Sequence, residues 1–169
     1  MRVATDALLL RKRDHGEADL VTTLLTCDRG VVSAIAFSAR KSRKRFAVLE
    51  PFHTMRVELD VGARDLATLR TATVTEPRTA FLHDLDRMRA AARAFTWIRR
   101  TCPADDPAPE VWTATLAFLD DETPDALAVF GLKLLRLVGL IPRSVRSGMS
   151  AEQIVQAVET IISEQGLPG

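Results

Sequence analysis

Tyrosine is absent from this chain, cysteine occurs twice, and aromatic residues of all kinds make up only 5% of the 169 residues. Cys27 and Cys102 stand far apart, and neither belongs to a C-x-x-C pair, so the sequence lacks the ligand spacing of a zinc site and the spacing of a redox dithiol. Both are expected to serve as small buried hydrophobes. No apolar run reaches the roughly 18 residues that span a bilayer. The longest, over residues 126–141, is interrupted by Lys133 and Arg136. The N-terminus carries Asp6 early and runs into Arg11-Lys12-Arg13, which does not fit a signal peptide. A cytoplasmic protein with no membrane partner is therefore expected.

The usual signatures of catalysis are missing too. His15, His53 and His83 are widely separated, with no His-x-x-x-His. There is no G-x-S-x-G, no phosphate-cradling glycine loop and no G-x-G-x-x-G. Asp120-Asp121-Glu122 is more simply read as the boundary between two helices than as a metal site. The expectation is a protein that is not an enzyme and holds neither metal nor cofactor.

What the chain does have is 47% hydrophobic and 27% charged residues, ordinary for a folded globular protein. Its net charge of +1 hides an asymmetry. Residues 1–70 carry 13 Lys/Arg against 9 Asp/Glu, whereas residues 71–169 carry 10 against 13. An anionic partner is expected to bind the first part.

That first part reads as strands. Ala7-Leu8-Leu9-Leu10 is a short apolar run leading to the turn signal Asp14-His15-Gly16. Residues 19–27 and 31–37 are two β-prone runs joined by Asp28-Arg29-Gly30, a hairpin signal. Residues 54–60 alternate, with Met55, Val57 and Leu59 on one face, and residues 66–75 form a Thr-rich fifth strand. Five short strands with turns between them suit a small closed barrel, either an OB-fold or an SH3-like barrel.

After Pro77 the period becomes helical. Leu82, Leu85, Met88, Ala92, Phe95 and Ile98 share one face. A Pro/Asp-rich connector covers 103–109, and a shorter helix carries Trp112, Thr115, Leu116 and Leu119. Thr123-Pro124 predicts an N-cap and N1 for a mostly apolar helix that runs to about Leu140 and is stopped by Pro142. Ser150 and Gln153 predict a capping box for a last helix ending at Gly166. Trp97 and Trp112 read as packing residues, and Arg99 and Arg100 as cations complementing a helix C-terminus. The chain is thus α+β, with a barrel domain at 1–76 and a helical bundle domain at 77–169.

Residues 40–45, Arg40-Lys41-Ser42-Arg43-Lys44-Arg45, put five cations into six positions after a predicted strand. Such a loop repels itself and is expected to stay mobile until an anion neutralises it; phosphates along a nucleic-acid strand would do so, with salt-sensitive binding. Arg11, Lys12 and Arg13 form a second cationic cluster. Phe37 and Phe46 flank the basic loop, an arrangement compatible with stacking on bases, although each reads more simply as a core residue. With so few aromatics, affinity should rest on phosphates more than on bases, and sequence preference should be weak. A different reading of the same loop is an adaptor that grips an acidic protein tail.

In serial order, several segments resemble the bacterial RecO family. Ala7-Leu8-Leu9-Leu10-Arg11, Gly16-Glu17-Ala18-Asp19-Leu20-Val21-Thr22-Thr23-Leu24, residues 30–36 and Ala39-Arg40-Lys41-Ser42-Arg43 are similar to that family's N-terminal OB domain. Residues 66–72 resemble its last strand, and residues 130–142 resemble the helix before its Gly-x-x-Pro step. The resemblance implies an OB-fold and a recombination-repair mediator associated with the nucleoid. Such proteins bind single- and double-stranded DNA, anneal strands and help load the recombinase. They work with RecR and with the single-stranded-DNA-binding protein, whose acidic tail docks on the helical domain. It also implies Arg40, Lys41, Arg43, Lys44 and Arg45 as DNA contacts, with Arg11, Lys12 and Arg13 beside them. The chain departs from the family in two places. No cysteine-rich zinc segment follows Pro142, as expected of a zinc-free short form, and Ser38 stands where the family often has glycine.

Overall fold

Because β1 (Arg2–His15) is covered on both sides, its middle reads as an unbroken apolar run and not as an alternation. Ala7 and Leu9 face the interior of the sheet, while Leu8 and Leu10 face outward into a core shared with the helices. The computed structural model describes residues 1–46, 49–63 and 66–165. β2 (Asp19–Thr26), β3 (Gly30–Ala36), β4 (Thr54–Asp60) and β5 (Ala67–Glu76) complete a five-stranded sheet. The strands follow one another in the closed order β1-β2-β3-β5-β4. Closure is uneven: antiparallel ladders join most neighbours, but β3 and β5 meet in parallel through only Ala34–Ala67 and Ile35–Thr68.

The alternation read in β4 holds in space. Met55, Val57 and Leu59 are fully buried inside the ring with Leu24 and Val32, while Arg56 and Glu58 face solvent. At the β2–β3 turn, Gly30 adopts φ 69° and lies against the helical part so closely that a Cβ would stand 1.9 Å from the Asp106 carbonyl oxygen. Only glycine fits there. The connector after the first long helix runs alongside β3 at this point, with the Asp105 N–H donating to the Val31 carbonyl (2.8 Å).

A 3₁₀ turn at Thr79–His83 leads to α1 (Leu85–Thr101), capped by the Asp84 carboxylate, which accepts from the Arg87 N–H (3.1 Å). α2 (Pro109–Asp120), α3 (Ala126–Leu137) and α4 (Ala151–Glu164) follow. α3, α1 and α4 pack so tightly that a Cβ on Gly131 would come within 2.8 Å of the Trp97 ring. Trp97 is buried and Trp112 packs against the same core. The Ser150–Gln153 capping box forms in both directions. Gly166, the expected end of this helix, lies outside the described residues.

Both ends of α3 depart from expectation. Asp125 and not Thr123 is its N-cap, because the Asp121 carboxylate accepts the Thr123 N–H (2.9 Å) and folds 123–125 into a preceding turn. Its C-terminus comes before Pro142. Gly139 turns left-handed at φ 78° and the Leu140 N–H returns to the Leu135 carbonyl (2.8 Å), a glycine stop of the Schellman kind.

Arg78 ties the two parts of the chain together. It is only 8% exposed. Nη1 donates to the Phe52 carbonyl and the Thr54 hydroxyl (both 2.9 Å), and Nε donates to Asp120 at the end of α2 (3.0 Å). Its backbone N–H donates to His53 Nδ1 (2.9 Å). Beside it Phe52, with a left-handed backbone of φ 83°, stacks on Phe81 at a centroid distance of 4.8 Å.

Candidate nucleic-acid interface

The basic segment is a series of turns packed over one end of the sheet. Ser38 opens it at φ 56°, in the left-handed region that favours glycine, and its N–H is held by the Asp19 carboxylate at 2.7 Å. The Ser42 N–H donates to the Ser38 carbonyl (3.0 Å) and the Phe46 N–H to the Ser42 carbonyl (3.2 Å). Arg45 turns inward: Nη2 donates to the Phe37 carbonyl (3.0 Å), Nε to the Ser42 hydroxyl (3.2 Å), and the guanidinium lies 5.1 Å from the centroid of Phe46. The expected extended loop is thus a series of turns, in which Arg45 directs its charge at the loop's own carbonyl and ring.

The other cations point elsewhere. Lys41, Arg43 and Lys44 are exposed and take part in none of the ion pairs among the described residues. Arg40 stands 3.7 Å from Asp14, and Lys12 stands 3.6 Å from Glu50 while donating to the Leu49 carbonyl at 2.9 Å. Exposed pairs of this kind contribute about 0–1 kcal/mol and yield readily to a phosphate. Lys12 and Arg40 line one open cleft of about 760 Å³, floored by Leu20, Ala39, Phe46 and Leu49. Phe46 is buried in that floor, whereas Phe37 is 48% exposed, the one aromatic among the large exposed hydrophobics of the described residues.

Arg11 and Arg13 do not share this cleft. The β1–β2 register shifts between Leu9 and Arg11, a bulge that places Arg11 opposite Thr23, Lys12 opposite Thr22 and Arg13 opposite Val21. Lys12 therefore continues the inner face of Leu9, and Arg11 and Arg13 join Leu8 and Leu10 on the outer face. There they line a separate cleft with Arg99 and Arg100 at the end of α1. The two cationic segments expected to form one surface are joined through Lys12 alone. Arg99 and Arg100, read from the sequence as helix-end cations, are the residues whose second neighbourhood was missed. A doublet of arginines closing a 17-residue helix is its only sequence signal.

The acidic run is used locally: Asp120 pairs with Arg78, Asp121 accepts from Thr123, and Glu122 lies 3.8 Å from Arg87. The Thr123 N–H and hydroxyl hold the Asp121 carboxyl below the usual carboxylate range. No three His, Cys, Asp or Glu side chains gather as a metal site among the described residues, and both cysteines are free thiols. Burial pushes the Cys102 thiol up, which makes it a poor nucleophile.

The family described as "Recombination protein O N terminal" matches residues 1–78, the whole sheet. Proteins named DNA repair protein RecO match well beyond it. The one from Anaeromyxobacter sp. (strain K) is 38% identical over 149 residues, covering 84% of this chain and 59% of the relative. The chain resembles the RecO family along most of its length. The relative from Syntrophotalea carbinolica is 35% identical, covering 84% of this chain and 58% of its own, and that from Myxococcus xanthus is 33% identical, covering 84% and 61%. The chain spans about three-fifths of the length of the curated relatives it matches. No helix among its described residues is long and apolar enough to cross a membrane.

Proposed function

We propose that this chain is a RecO-family protein, a non-catalytic DNA-repair and recombination mediator that binds and anneals single-stranded DNA and assists recombinase loading. In this reading the closed sheet is an OB-fold barrel and residues 1–76 are the nucleic-acid-binding domain. Residues 77–169 are a helical domain for partners, among them a RecR-like protein and a single-stranded-DNA-binding protein. Duplex DNA is a second ligand, and the protein works in the cytoplasm on the nucleoid.

The observation that carries the reading is the set of three exposed cations, Lys41, Arg43 and Lys44, outside any ion pair among the described residues, in the loop that opens at the exposed ring of Phe37 and whose Arg40 lines a cleft with Lys12. Cations that track a backbone together with an aromatic face for a base are what single-strand binding needs. Arg45 and Ser38 fold the loop back on itself, and this arrangement would present the three cations together.

The test is the triple variant Lys41→Ala/Arg43→Ala/Lys44→Ala, assayed by fluorescence anisotropy with a single-stranded oligonucleotide. None of the three side chains is buried, so the melting temperature should not move. Affinity at moderate salt should fall about tenfold or more, and the slope of log K against log salt should shrink by about 2, at roughly 0.7 per phosphate contact. A variant that binds as tightly as the parent removes the loop from the site. A parent that binds an acidic peptide and no oligonucleotide would favour the adaptor reading.

A further inference from the structure

Four arginines meet in the cleft of about 440 Å³ between the outer face of β1 and the last turn of α1: Arg11 and Arg13 from the strand, Arg99 and Arg100 from the helix. Complementing the α1 C-terminus accounts for Arg99 and Arg100. It does not account for two further arginines brought to face them from the sheet. Among the described residues, none of the four forms an ion pair with a carboxylate. Arg99 Nε is buried without an acceptor, and Nη2 reaches only the Thr96 hydroxyl (3.2 Å). Burial first, and then the charges of Arg11 and Arg13, hold the Arg99 guanidinium below its ordinary pKa. Like charges gathered on two elements around one open cleft are self-repelling until an anion enters.

We infer that this seam is a second phosphate-binding surface, which seats the sugar–phosphate backbone of the same nucleic acid that crosses residues 40–45. The inference rests on the nucleic-acid reading above. All four cations are arginines, whose planar forks match phosphate oxygens two at a time. Arg11 and Arg13, two residues apart on an extended strand, are separated by about 7 Å, the axial rise of two nucleotides of one duplex strand. Thr23 and Ser33 line the same cleft. Since Lys12 lies between the two arginines and faces the loop cleft, the projecting end of β1 carries cations on both faces. A strand of DNA passing around that end would contact both clefts in turn.

The test uses the full chain and the variant Arg13→Gln/Arg100→Gln, with a single-stranded oligonucleotide long enough to cross both clefts. Without these two cations the salt slope should be shallower by about 1.4, and binding at moderate salt about tenfold weaker. Inorganic pyrophosphate provides an independent reading of the seam: it should raise the melting temperature of the Lys41→Ala/Arg43→Ala/Lys44→Ala variant, and that rise should vanish when Arg13→Gln/Arg100→Gln is added to it. Arg13→Gln alone, at an exposed position, repeats the test at half size should the double variant unfold early. If oligonucleotide binding is lowered by the loop substitutions and unchanged in slope by Arg13→Gln/Arg100→Gln, the seam is overturned and the nucleic-acid reading stands. If the parent binds no oligonucleotide at any salt, that reading fails and this inference with it.

Discussion

Phe37 is the side chain best placed to touch a base and the one whose loss should matter least to folding. Its ring is about half exposed at the start of the basic loop, and the hydrogen bond it makes for the loop is through its backbone carbonyl, which accepts from Arg45. A stacked base contributes about 1–3 kcal/mol by alanine substitution. Phe37→Ala should therefore weaken single-strand binding by about that amount while leaving the salt slope unchanged, since every phosphate keeps its cation. An anisotropy titration at two salt concentrations measures both quantities. Phe46, its apparent twin in the sequence, is buried under the loop, so Phe46→Ala would damage the scaffold instead. Sequence could not separate the two, because each is a lone phenylalanine beside the same run of cations. What divides them is the turn at Ser38, which folds the chain back across the sheet.

At the level of β1 and the junction at Arg78 it is decided where the charges end up. β4, the β2–β3 hairpin and the α4 capping box were legible in the sequence because their signals are local: strict alternation, a turn tripeptide, a Ser three residues before a Gln. The bulge in β1 was not. Strict alternation from Leu8 would have put Lys12 with Leu8 and Leu10, and Arg11 with Leu9; one register shift reverses this, sending the arginines to the outer face beside α1 and the lysine to the inner face. The start of α3 was missed for a similar reason, since Asp121 competes for the Thr123 N–H and no single-residue preference registers that contest. Arg78 carried no sequence signal at all, yet it closes the contact between β4, β5 and α2. Removing a buried guanidinium that satisfies a carbonyl, a hydroxyl and a carboxylate should cost about 2–4 kcal/mol. For Arg78→Ala, thermal unfolding should show a fall in melting temperature of roughly 5–15 °C. An unchanged melting temperature would mean that the sheet and the helices are held together by their apolar core alone.

Across the whole molecule, the sheet and the helices share one hydrophobic cluster. Leu8, Leu10, Leu25, Val31 and Phe52 of the sheet side pack with Phe95, Ile98, Phe130 and Leu134 of the helices. The exposed cations named above cluster around one end of the sheet and its seam with α1, while the helical part carries the excess of acids. This distribution suits a polyanion that runs across the sheet and is turned away by the rest of the surface. Everything functional here depends on phosphates being the ligand. The decisive experiment titrates the unmodified chain with single- and double-stranded oligonucleotides of mixed sequence over a range of salt concentrations. Binding to both is expected, with little dependence on base sequence and a linear fall of log K with log salt whose slope corresponds to several phosphate contacts. Binding that is flat in salt, or no binding even at the lowest salt, would contradict it.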